Sequence, residues 1–161
     1  MLKLNISQGA GFSLVEVAAL NHACELANTA LNSGDFAVKF LGAKLSATNG
    51  KSNFDILHML LDHDVEVTVK YAGHSTSSAI AFEGGGVTYL YDQAFSSLGL
   101  LASNLVHEAS HSLGFSHPYL PKRWFYPFGY DNSYVPYAFS SMIEPIVKNI
   151  LAQKAAQTVT V

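Results

Sequence analysis

The stretch His107-Glu108-Ala109-Ser110-His111-Ser112-Leu113-Gly114-Phe115-Ser116-His117 governs how the rest of the chain is read. Just upstream and within it, Leu98, Leu101, Leu105 and Ala109 recur at three- and four-residue steps, which predicts a helix over about 97–112. Side chains four apart on a helix stand one turn above the other, about 40° apart around the axis. His107 and His111 can therefore aim both imidazoles at one point. Glu108 stands on the same side of the helix but points past that point. Gly114 ends the helix and accepts the left-handed backbone that a Cβ resists. The chain can then reverse and bring His117 back toward the first two rings.

Three neutral imidazoles suit a tetrahedral zinc ion with its fourth position open to water, the arrangement of a catalytic rather than a closed structural site. A carboxylate beside the first histidine can reach such a water without becoming a ligand. A purely structural site has no need of Glu108.

These eleven residues resemble, position for position, the long zinc motif HExxHxxGxxH of the metzincin metallopeptidases. His117-Pro118 is most similar to the serralysin branch, and Ser112 to matrix metalloproteinases. The resemblance implies a zinc-dependent endopeptidase with one catalytic Zn2+ held by His107, His111 and His117, and with Glu108 as general base. Gly114 supports the site structurally. Ser140-Ser141-Met142, just before a predicted closing helix, resembles the clan's methionine turn, which would put Met142 beneath the metal. The clan binds substrate antiparallel to an edge strand. Here that strand is expected at Ser78 to Phe82, with Ala79, Ile80, Ala81 and Phe82 as contacts. Many metzincins carry a tyrosine two residues after the methionine, where this chain has Glu144. Tyr130, Tyr134 and Tyr137 are the candidates to replace it. They belong to an aromatic stretch, 119–137, expected to wall an apolar pocket for the residue after the scissile bond. The cysteine of a latency switch and the glycine–aspartate repeats that bind calcium in full serralysins are both missing from the pattern.

Outward from the motif, the pattern predicts an α/β (α+β) fold with a mixed, roughly five-stranded twisted sheet. Leu2–Ile6 and Val65–Tyr71 alternate apolar and polar residues as half-buried strands do, and Asp35–Leu41 reads as another strand. Ala79–Phe82 and Val87–Tyr91 flank Glu83-Gly84-Gly85-Gly86 as a hairpin. A long first helix is expected over about 13–33, opened by Ser13 and Glu16 at capping-box spacing. Phe54–Leu61 reads as a short helical turn. The closing helix is expected over about 143–156, with Ser141 and Glu144 again at capping-box spacing. Residues 1–161 read as a single domain, with an upper subdomain to about 114 and a small lower one from 115 to 161.

The chain has 161 residues, 49% apolar and only 13% charged, with net charge −3 and one arginine, Arg123. That size supports a real core without disulfides. The charge argues against a nucleic-acid partner, which calls for a basic stripe. No apolar run is long enough to span a membrane, and the opening Met1-Leu2-Lys3-Leu4-Asn5 lacks the apolar core of a signal peptide. The lone Cys24 reads as a buried small residue. His63 between Asp62 and Asp64 reads as a solvated turn rather than a second metal site. The expected partner is a peptide or protein substrate; oligomeric state is not set by the sequence. Two other readings stay open: a processing peptidase restricted to one target, and a non-catalytic zinc-binding structural or binding module of a larger assembly.

Overall fold

The computed structural model describes residues 1–7, 10–74, 81–84, 86–117 and 132–158. The sheet is built around β2 (Val65–Gly73), whose alternation of exposed Glu66 with buried Val65, Val67 and Val69 puts one face on the core. β1 (Leu2–Ile6) lies parallel to it, with Leu2 opposite Val65 and Ile6 opposite Val69. β4 (Val87–Tyr91) lies parallel on its other side, and β3 (Ala81–Gly84) pairs antiparallel with β4 at the sheet edge. The order is β1-β2-β4-β3. The described sheet is therefore four-stranded, three parallel strands plus an antiparallel edge, not five-stranded as the alternation suggests.

The expected strand at Asp35–Leu41 is instead helix α2 (Gly34–Leu41), which follows α1 (Leu14–Leu31). Phe36, Val38 and Phe40 look like one face of a strand, but the helix separates them. Phe36 and Phe40 are fully buried and their rings stack at 5.5 Å, while Val38 is 75% exposed. The Ser33 hydroxyl accepts the Phe36 N–H at 3.2 Å and starts the turn. Lys39 pairs with Asp35 at 2.8 Å along the same helix. α3 (Asn53–Asp62) is a full helix with a Ser52–Asp55 capping box, longer than a turn.

A 3₁₀ turn (Asp92–Ser96) leads from β4 into α4 (Leu98–Ser112), which Ser97 caps by accepting the Leu100 N–H at 3.1 Å. The last helix, α5 (Val135–Thr158), begins eight residues before the expected start at 143. Its buried positions Val135, Ala138, Phe139, Ile143, Ile146 and Val147 form one stripe that continues through Ser140-Ser141. The methionine turn expected at Ser140-Ser141-Met142 is consequently helical: Met142 sits in the interior of α5, half-buried against the core. The Ser141 hydroxyl, expected to cap a helix, donates to the Ala138 carbonyl at 2.9 Å, and Glu144 pairs with Lys148.

α5 packs along α4 and also touches α1 and α2. Phe139 stacks on Phe40 at 4.8 Å and on Phe36 at 5.9 Å, joining the last helix to the second. Most of the buried apolar residues form one cluster running from Leu2 through α1–α4 to Val147. Cys24 is in it, its Sγ 3.7 Å from the Leu2 carbonyl, and burial pushes its thiol up. Among the described residues no helix is long and apolar enough to cross a membrane.

Candidate metal centre

α4 carries His107 and His111 on its half-buried side, while Leu101, Leu105 and Ala109 pack into the core. The helix ends in a Schellman turn. The Gly114 N–H donates to the His111 carbonyl at 2.9 Å, and the Phe115 N–H reaches back to the Ser110 carbonyl at 3.1 Å. Gly114 takes φ +88°, where any other residue would be strained. Phe115, 1% exposed, anchors the reversal in the core. Two residues on, His117 meets the other two histidines.

The candidate ligand nitrogens of His107, His111 and His117 all lie within 4.8 Å of one another. The Nε2 atoms of His107 and His117 are 3.1 Å apart. Two nitrogens bound at about 2.0–2.1 Å to a tetrahedral ion would be about 3.3 Å apart, so this spacing suits a shared ion. The ring centroids form a near-equilateral triangle of 5.0, 5.1 and 5.0 Å. These three side chains can hold a metal ion, and the donor set of imidazole nitrogens suits zinc among other borderline cations.

The outward-facing nitrogens are also engaged. His111 Nδ1–H donates to the Phe115 carbonyl at 2.8 Å, so the turn that returns the chain also orients a candidate ligand. His107 Nδ1 lies 3.1 Å from Ser140 Oγ, which itself donates to the Pro136 carbonyl at 3.1 Å. Burial, with smaller contributions from the neighbouring His111 and His117, lowers the pKa of His107 to about 3. The ring is thus neutral at ordinary pH, as a ligand must be. Glu108 is buried in α4, 6% exposed.

Of the three tyrosines singled out in the sequence, Tyr137 stands at the centre. Its ring stacks on His117 at 4.3 Å and 29°, and lies 5.1 Å from His107. Tyr134 precedes α5 and forms a backbone bridge with Ser46. Tyr130, Ala79 and Ile80 lie outside the described residues, as does most of the aromatic stretch 119–137. Ala81 and Phe82 lie on edge strand β3, opposite Leu90 and Tyr89. Met142 is in α5, two residues beyond Ser140.

Three contributors were not read from the sequence: the Phe115 carbonyl, the Ser140 hydroxyl in its role toward His107, and the loop 42–52. That loop ties the centre down twice. Asn49 Nδ2 donates to the Gly114 carbonyl at 3.0 Å, and Ser46 meets Ser133 through both its N–H and its hydroxyl, each at 2.7 Å. The histidine–aspartate turn at 62–64 is used differently. Asp64 pairs with Lys3 at 2.6 Å, and Asp62 with His58 at 2.6 Å. Among the described residues the three imidazoles are the one group of three or more metal-ligating side chains close enough to share an ion. No protein family, curated protein or solved structure matches this chain.

Proposed function

We propose that the protein is a zinc-dependent endopeptidase of the metzincin kind. The observation that carries this reading is the convergence of His107, His111 and His117 on a common point, with Glu108 next to the first of them on the same helix. Zinc bound by the three imidazoles would supply a Lewis acid that polarises a peptide carbonyl and acidifies a water. The Glu108 carboxylate takes the proton from the attacking water as its oxygen bonds to the carbonyl carbon. It then hands that proton to the amine as the carbon–nitrogen bond breaks. A peptide lying antiparallel to β3 would gain main-chain hydrogen bonds from the sheet edge and side-chain contacts on alternate residues. Ala81 and Phe82 are the described members of that edge. Tyr137, beside two of the ligands, would form part of the wall around the scissile bond.

A non-catalytic zinc-binding module is the second reading. It is favoured by the position of Met142 inside a helix rather than in a turn. The decisive experiment combines metal content with cleavage of an unfolded generic protein. The expected result is one zinc per chain, cleavage abolished by a chelator and restored by zinc, and roughly 10²–10⁴-fold loss of rate in Glu108→Gln with zinc retained. A chain that takes up no zinc overturns the proposal entirely. Zinc at full occupancy without cleavage of any peptide in a broad panel leaves the binding module.

A further inference from the structure

We infer that the first two turns of α5 set the ligand state of the centre: Ser140, together with the Pro136 carbonyl, sets the tautomer of His107, and Tyr137 fixes the ring plane of His117. The inference rests on the metal-binding half of the function proposed above, and not on peptide cleavage.

The Pro136 carbonyl accepts from His107 as well as from Ser140, so both oxygens face the same ring. The Ser140 hydroxyl has a single hydrogen, which it donates to the Pro136 carbonyl 3.1 Å away. Toward His107 Nδ1, at 3.1 Å, the same oxygen therefore offers a lone pair. The imidazole then answers with Nδ1–H, a hydrogen that the Pro136 carbonyl also favours. A neutral ring carries one such hydrogen, so its Nε2 is left with the lone pair. Nε2 is the atom that faces His117, at 3.1 Å. Free imidazole side chains favour the opposite tautomer, with the hydrogen on Nε2, which cannot bind a metal through that atom. Ser140 works against that preference.

Tyr137 lies three residues before Ser140, on the same side of α5. His117 is the ligand that no helix carries, since it follows the reversal at Gly114. A tyrosine face stacked at 4.3 Å and 29° supplies the restraint that helix backbone gives His107 and His111. The division of labour is then complete. His111 is oriented by the Phe115 carbonyl of its own turn, and the other two ligands by α5. Both α5 residues act as positioning residues.

The test uses the full chain labelled with 15N at histidine, metal-free and at neutral pH, read by long-range 1H–15N correlation. Zinc affinity is measured separately by competition with a chromophoric chelator. His107 should carry its hydrogen on Nδ1 in the wild type. In Ser140→Ala, where the Pro136 carbonyl alone is left to accept it, the hydrogen should move in part to Nε2, and zinc affinity should fall about tenfold. Ser140→Thr keeps a hydroxyl and should restore both. Tyr137→Phe keeps the stacked ring and should bind zinc within about threefold of wild type, while Tyr137→Leu should lose about tenfold or more. Far-UV circular dichroism establishes that α5 persists in each variant. An unchanged tautomer in Ser140→Ala, or wild-type affinity in Tyr137→Leu, overturns the inference. A wild-type chain that binds zinc tightly yet cleaves nothing defeats the peptidase while leaving these expectations intact. A wild-type chain that cleaves peptides while the alanine and leucine variants match it defeats the inference alone.

Discussion

At the scale of single residues, the local turn chemistry around Gly114 controls the reach of His117, the third candidate ligand. A Cβ at Gly114 would meet nothing within 4 Å, so the cost of Gly114→Ala is backbone strain alone at φ +88°. We expect a loss of about 1–2 kcal/mol in urea unfolding, together with weaker zinc binding as His117 shifts. The Tyr71–Asp92–His74 contact at the end of β2 gives a pH signature. The Tyr71 hydroxyl donates to Asp92, which holds that carboxyl below its ordinary 3.8, helped by His74 at 3.0 Å; the same bond pushes Tyr71 up to about 12. A depressed carboxyl contributes stability above its unfolded pKa and loses it as pH falls through the folded value. A raised phenol loses its contribution as pH climbs from about 10 toward 12. Asp92→Asn should therefore be less stable than wild type at pH 7, and the gap should narrow in denaturant titrations as pH falls below the ordinary 3.8. The residues legible in the sequence were those whose relations are local. His107, His111, Gly114 and His117 are separated by known helical and turn offsets. Ser140 reaches His107 across 33 positions of chain, and no spacing rule connects them.

At the scale of elements, α5 is where reading and structure part most. Ser140-Ser141 looks like a start because two hydroxyls suit a cap. In the structure their side chains bond back to Pro136 and Ala138 in the preceding turn, so the helix runs through them. Pro145 then sits inside a helix, where it removes one N–H bond to the preceding turn. It is exposed, so Pro145→Ala should raise stability by about 1–3 kcal/mol and sharpen the helical dichroism. A Pro145→Ala variant no more stable than wild type would mean α5 is already bent to suit the proline. α2 was hidden for another reason. Apolar residues at 36, 38 and 40 fit a strand, and the separation of Phe36 and Phe40 from Val38 is decided by Phe139 on a distant helix. Phe139→Ala, which removes the ring against which both others stack, should cost about 3–5 kcal/mol by denaturant unfolding.

For the whole molecule, the class was readable and the strand count was not. β1, β2 and β4 follow from alternation and a tight glycine-rich turn, both short-range signals, whereas the fifth strand fell to tertiary packing of α2. One core joins the sheet to α4 and α5, so an ion bound at the end of α4 is coupled to the stability of the whole. Free zinc at about 1,000 times its Kd should add about 4 kcal/mol to unfolding, and a chelator should lower Tm accordingly. An unchanged Tm would mean the site binds no zinc in the native state. Finally, Ser46 and Asn49 moor one stretch of chain to two places, the start of α5 and the bend before His117. That stretch works as a gauge block: its length sets the gap between the jaws. Lengthening it by a single residue between the two moorings must unhook one of them, so insertions tolerated almost anywhere else on the surface should here be felt at the three imidazoles.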